Sequence, residues 1–100
     1  MGGTRMSLGD AELRKRAEQL PDWKITEDRS LSKTFLFPDF KSALDFVNRV
    51  GAAAEEQGHH PDIHLAWGRV DVKTWTHDAG GLTEKDFALA ATVDRAFFTR

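Results

Sequence analysis

The chain contains no cysteine. That excludes a disulfide framework, a thiolate metal site and a thiol nucleophile, and it leaves the redox compartment unread. Net charge is also nearly absent. With 14 Lys and Arg against 16 Asp and Glu, the formal charge is −2, so there is no electrostatic case for a nucleic-acid partner. No apolar run approaches the roughly 20 residues that a membrane span needs. The segment Met1 to Ser7 lacks the apolar centre of a signal peptide. No membrane association is expected, and the cytoplasm is the expected location. Phosphate-cradling glycine motifs are missing, with Gly80-Gly81 an isolated pair. Neither Ser30 nor Ser32 has a glycine elbow around it.

What is present describes an ordinary globular chain of 100 residues, 40% apolar and 30% charged. Residues 1–9, with Gly2 and Gly3 adjacent, are expected to form a flexible N-terminal tail. Residues 10–100 are expected to form a single domain. No repeat or low-complexity tract interrupts it. So short a chain buries a modest core, and subunit association would help cover the rest.

Hydrophobic spacing then orders the elements. Asp10 is expected to cap a first helix in which Leu13, Ala17 and Leu20 recur at helical intervals until Pro21. Trp23 to Thr26 and Ser30 to Phe37 read as a hairpin around the polar turn Glu27-Asp28-Arg29. Lys33 breaks the apolar face of the second run, which places that end of the strand near a sheet edge. Pro38-Asp39 opens the strongest helix. Its stripe runs through Phe40, Ala43, Leu44, Val47, Val50, Gly51 and Ala54, widened by Phe46 and Ala53, and Gly58 ends it. Ile63, Leu65 and Trp67 alternate, Gly68-Arg69 turns, and Val70, Val72, Thr74 and Thr76 alternate back. Asp71, Lys73, Trp75 and His77 take the opposite face. Thr83-Glu84-Lys85-Asp86 resembles a capping box ahead of a last helix with Phe87, Ala90, Ala91, Val93 and Phe97. The order α-β-β-α-β-β-α implies an α+β fold, a four-stranded antiparallel sheet with three helices packed on one face.

Three of the four histidines fall in two loop clusters flanking the second hairpin: His59-His60-Pro61, and eighteen residues on, Thr76-His77-Asp78. Imidazole exchanges protons near neutral pH, so two such groups converging on one place suit acid–base chemistry. Pro61 fixes its own φ and pushes His60 out of the helical region, directing both rings away from the helix end. Glu55, four residues before His59, is placed to reach back to that ring. A metal site fits the spacing poorly. His60 and His64 stand four apart but Pro61 argues against a helix through them, and His64 alternates with Ile63 and Leu65 on a sheet surface. No metal is expected.

The separated clusters keep a mutual spacing that resembles the pterin-4a-carbinolamine dehydratases. These are Glu55-x-x-x-His59-His60-Pro61, an aromatic at Trp67, Val70-x-Val72, Thr76-His77, Gly81-Leu82-Thr83 and Asp86. Upstream, Trp23 and Phe35-x-Phe37-x-Asp39-Phe40 fit as well. The resemblance covers roughly residues 10–98. It implies dehydration of a 4a-hydroxytetrahydropterin to the quinonoid dihydropterin, without cofactor, which recycles the pterin after an aromatic amino acid hydroxylase has used it. By the resemblance His59, His60 and His77 are catalytic. Glu55, His59, His60, Pro61, Trp75, Thr76, His77 and Asp78 bind the pterin, and Asp86 is a supporting carboxylate that also sits in the capping box. The resemblance further implies self-association to a dimer or tetramer. Two positions depart from the pattern. Trp67 replaces a common Tyr. Trp75 stands on the same face as His77, where it packs beside the pterin, against a neighbouring subunit, or over the sheet. The same fold family includes noncatalytic dimerisation and assembly factors, which is the alternative reading.

Overall fold

The computed structural model describes residues 8–98. The elements, in chain order, are α1 (Asp10–Glu18), β1 (Lys24–Ile25), β2 (Leu31–Leu36), α2 (Phe40–Gln57), β3 (Asp62–Ala66), β4 (Arg69–Thr74), a single 3₁₀ turn at His77–Ala79, and α3 (Glu84–Phe98). The four strands form one antiparallel sheet in the order β1-β2-β4-β3. Both hairpins are present, joined through the long β2–β4 pairing from Leu31↔Thr74 to Leu36↔Arg69. The α+β expectation holds.

Side-chain alternation sets which face is covered. Leu31, Phe35, Val70, Val72 and Thr74 are buried on one face. On the other, Thr34, Leu36, His64 and Arg69 are exposed. The buried face meets Ala43, Phe46, Val50 and Ala54 of α2 and Phe87, Leu89, Ala90 and Val93 of α3. Phe46 is the centre of an aromatic cluster, with ring centroids 4.8 Å from Phe35, 5.2 Å from Phe37 and 5.8 Å from Phe97. α1 contributes less. It buries no residue outright, and Leu13 and Leu20 only lean on the core. Its attachment is polar, through Arg16, which bridges Glu12 at 2.8 Å and Glu84 of α3 at 2.7 Å.

Several boundaries differ from the sequence expectation. Residues 1–7 of the expected tail lie outside the described residues. Leu8, which was expected to belong to it, donates its amide to the Leu82 carbonyl at 2.9 Å and packs against the core. Gly9, not Asp10, caps α1, with Asp10 already helical in the acidic first turn. The hairpin turn is Trp67-Gly68, one residue earlier than expected. Gly68 lies so close to Phe37 that a Cβ there would stand 2.7 Å from the Phe37 carbonyl oxygen.

Lys33 does stand near an edge: it pairs with Val72 of β4 on one side, and on the other side β1 reaches only to Ser32. The lysine reaches Asp94 of α3 at 2.8 Å, and the same carboxylate accepts from the Trp23 indole at 3.1 Å. A charge on the apolar face is tolerated because it is paired. The α2 stripe is also narrower than expected. Phe46 lies in its centre, whereas Phe40 and Leu44 remain 44% and 39% exposed. Asp39 caps this helix by accepting from the Ser42 amide at 2.7 Å, and Gly58 ends it at φ 65°, as its lack of a Cβ allows.

Phe46 is fully buried among three rings, so truncation loses both transfer energy and packing. Phe46→Ala is expected to lower stability by about 3–5 kcal/mol, a large share of what a domain this size has. Urea unfolding followed by tryptophan fluorescence measures the loss. A change below about 1 kcal/mol would contradict the central position of this ring.

Candidate active site

The ends of three elements meet at one corner of the domain. α2 stops at Gly58, β4 runs out at Thr74, and α3 starts after Thr83. The chain between Trp75 and Thr83 closes this corner, pinned by the bridge Thr76↔Gly81. An open cleft of about 400 Å³ lies there, lined by Gly58, His59, His60, Asp62, Trp75, Thr76, His77, Asp78 and Lys85.

The base of this corner is the carboxylate of Asp86, which is 0% exposed. Its Oδ1 accepts from His59 Nε2 at 2.6 Å and from the Thr74 hydroxyl at 2.7 Å. Its Oδ2 accepts from the Thr76 hydroxyl at 2.7 Å and from the Thr83 amide at 3.0 Å. Four donors fill the four lone-pair sites of a carboxylate. With the Thr76 hydroxyl hydrogen committed to Asp86, the Thr83 hydroxyl must donate to Thr76 at 2.8 Å, while itself accepting from the Lys85 amide. Both oxygens of this buried carboxylate and the three threonine hydroxyls around it have partners, which is the condition under which a buried network is stabilising. The Thr83 amide bond is also the return half of the capping box, with Asp in the place of Glu. Asp86 therefore fills the capping position and also accepts a hydrogen bond from His59.

The two adjacent histidines separate. His59 turns inward, its side chain 12% exposed against Asp86. His60 turns outward at 61% and pairs with Glu55, Nε2 to Oε2 2.5 Å. Glu55 was expected to serve His59. The left-handed Gly58 breaks the helical path first, so the ring that returns over Glu55 is that of His60. His77 opens the 3₁₀ turn and meets Trp75 edge-to-face, with centroids 5.7 Å apart at 88° and the indole N–H 3.4 Å from Nδ1. Trp75 thus stands beside His77 in the cleft wall.

Six of the residues singled out by sequence line the cleft: His59, His60, Trp75, Thr76, His77 and Asp78. Glu55 stands behind His60 and Asp86 behind His59, outside the lining, and Pro61 does not line it. His64 sits on β3, on the open face of the sheet. Sequence reasoning did not single out Lys85, Asp62 or Gly58 as lining, nor Thr74 and Thr83 as partners of the buried carboxylate. One signal was available. Thr74 and Thr76 continue the buried face of β4 with hydroxyls where Val70 and Val72 have methyl groups, and a buried hydroxyl implies a polar partner.

The arrangement defines a class: a small α+β domain with a histidine-lined cleft at one corner of its sheet. A solved structure of a transcriptional coactivator/pterin dehydratase from Brucella melitensis superposes with a TM-score of 0.86 at 30% identity, covering 90% of this chain and 97% of that one. A pterin dehydratase-like protein identified as a RuBisCO assembly factor in the alpha-carboxysome superposes at 0.65, also at 30% identity, over 75% of this chain and 88% of that one. The family model for pterin 4 alpha carbinolamine dehydratase matches residues 6–96. A relative from Rubrobacter xylanophilus, provisionally named a pterin-4-alpha-carbinolamine dehydratase, is 54% identical over 94 residues, 94% of this chain and 87% of the relative. A relative from Chloroflexus aggregans, named in the same provisional way, is 47% identical over 87% of this chain and 93% of its own length. This chain belongs to the pterin-4-alpha-carbinolamine dehydratase family.

Removing the Asp86 carboxylate orphans buried donors on two strand residues and a helix cap. Asp86→Ala is expected to cost about 3–5 kcal/mol, from several unsatisfied groups at about 1–3 kcal/mol each. Nitrogen-15 NMR of wild type should show the His59 proton on Nε2. An unprotonated Nε2 on His59 would contradict the hydrogen bond to Asp86.

Proposed function

We propose that this chain is a dehydratase that converts 4a-hydroxytetrahydropterin to quinonoid dihydropterin and water by histidine acid–base catalysis. The observation that carries the reading is the convergence of His59, His60 and His77 on one open cleft, two of them backed by carboxylates. The chemistry asks for little else. As the C4a–O bond breaks, a proton reaches the departing hydroxyl oxygen. The N5–H bond gives its proton to a base, and the N5 electron pair becomes the C4a=N5 double bond. One group must give a proton and another take one on a flat ring, a task for two positioned imidazoles. Glu55 and Asp86 orient His60 and His59, while Trp75 supports the ring of His77. His59, His60, Trp75, Thr76, His77 and Asp78, with Pro61 and Glu55 outside the lining, form the binding set, and neither cofactor nor metal takes part. Product return to tetrahydropterin links the activity to an aromatic amino acid hydroxylase.

The reading places the protein in the cytoplasm. Among the described residues no helix is long and apolar enough to cross a membrane. It also includes self-association to a dimer or tetramer, for which the exposed flank of Phe40 and Leu44 on α2 offers apolar surface. The noncatalytic alternative draws on the similarity to the assembly factor. The presence of all three imidazoles in the cleft favours catalysis.

The test is the decay of a 4a-hydroxytetrahydropterin with and without protein. His60→Ala or His77→Ala should each lower the catalysed rate roughly 10²-fold, a typical acid–base contribution. His64→Ala should change it little. The uncatalysed dehydration sets the floor. Wild-type activity in a His60→Ala/His77→Ala double variant would transfer support to the noncatalytic alternative. Extensive chelation should leave the rate intact, and a loss restored by zinc would overturn the metal-free mechanism.

A further inference from the structure

Thr74 repeats the inward phase of Val70 and Val72 at the end of β4 and is 0% exposed. Valine has the same shape, so packing alone does not ask for a hydroxyl at this position. The hydroxyl donates to Oδ1 of Asp86 at 2.7 Å, and that same oxygen accepts from His59 Nε2 at 2.6 Å. The other oxygen is occupied separately, by the Thr76 hydroxyl and the Thr83 amide. Thr74 is therefore the group that shares with His59 the acceptor of the imidazole proton.

Sharing weakens each bond. A donor on a carboxylate oxygen stabilises the ionised form and draws electron density from that oxygen, leaving less for a second donor. With Thr74 in place, Asp86 orients the ring through Nε2 without a full claim on its proton. Without the hydroxyl, Oδ1 would turn to His59 alone and hold the charged ring more firmly. An acid–base group must release in one half of a turnover what it takes in the other. Nδ1 of the ring makes no hydrogen bond among the described residues and is the nitrogen left for that exchange. We infer that Thr74 is a positioning residue that limits the grip of Asp86 on His59, so that this imidazole can take and return a proton. The inference rests on the acid–base reading of the cleft and adds to it a residue that does not line the cleft.

Other charged groups face His59 as well. α3 contributes Lys85 beside Asp86, and Glu55 of α2 is taken by His60. Asp62 of β3 lines the same cleft, as do His77 and Asp78 of the closing loop. Of all these, only Asp86 is bonded to the Thr74 hydroxyl, so a change confined to that hydroxyl reaches His59 through Asp86.

The test compares Thr74→Val, which removes the donor, with Thr74→Ser, which keeps it on a smaller side chain. Proton NMR of the His59 Hε2 resonance reads the bond directly and needs no substrate. In Thr74→Val the resonance should move downfield, whereas a merely structural loss loosens the bond and moves it upfield. Thr74→Ser should stay at the wild-type position. Thr74→Cys, a weak donor of similar size, should fall between them and gives the same reading if the valine variant does not fold. In turnover of a 4a-hydroxytetrahydropterin, the pH–rate profile of Thr74→Val should move up by roughly one unit, a part of the worth of a hydrogen bond to a charged group. The sign follows from the tighter grip: protonated His59 persists to higher pH, and whichever limb it governs moves with it. An Hε2 resonance that stays in place or moves upfield overturns the inference. So does serine behaving like valine, or an unmoved profile in an active valine variant. The expected NMR shifts in a protein without turnover would support the hold of Thr74 on the pair while overturning the dehydratase reading.

Discussion

Four hydrogen bonds end on the carboxylate of Asp86, which has no contact with solvent. Taking a carboxylate out of water is costly, and the cost is offset only when its lone pairs are filled by well-aligned donors. Here the donors come from separate parts of the chain: Thr74 at the end of β4, Thr76 beyond it, the amide that starts α3, and His59 after α2. Any displacement of one of these segments leaves a buried charge short of a partner. The requirement therefore holds three element ends in a single arrangement, and the position of His59 in the cleft follows from it.

The rest of the core is organised by a different kind of interaction. Phe35, Phe37, Phe46 and Phe97 meet ring against ring in the middle of the domain, and Val50, Val70, Val72 and Val93 fill around them. Apolar burial is non-directional and secures compactness more than orientation. The directional part comes from paired charges at the margins, such as Lys33 and Trp23 on Asp94, and Arg16 on Glu84. With all helices on one side, the opposite face of the sheet stays open. Thr34, Asp71 and Lys73 lie on it, and Trp75, just past the end of β4, lines the cleft.

On the proposed dehydratase reading, a solvent-open cleft suits elimination from a carbinolamine, which needs proton transfer more than exclusion of water. The similarity to a RuBisCO assembly factor shows that the same layer arrangement serves another purpose in another protein. Function in such a fold resides in the site it carries, not in the layers themselves. In this chain the corner between α2, β4 and α3 presents imidazoles with oriented partners.

How far the sequence alone reached is clearest in particular residues. Period-two and helical spacing located every strand and helix to within a few residues, because alternation and the 3.6-residue turn are local consequences of backbone geometry. The capping role of Asp86 and the stop at Gly58 were legible for the same reason: each depends on neighbours within one turn. The histidine clusters were legible as residue types at a known spacing. The ion pair of Lys33 was not legible, because its partner Asp94 is 61 residues away and no local pattern announces it. Glu55 was assigned to His59 by helical spacing, and only the left-handed turn at Gly58 transferred it to His60. The separation of two adjacent histidines, one inward on a buried carboxylate and one outward on an exposed one, was decided by tertiary structure. So was the edge-to-face contact of Trp75 with His77. Hydrogen bonds between distant segments form only once packing has brought those segments together, and sequence spacing carries no record of them.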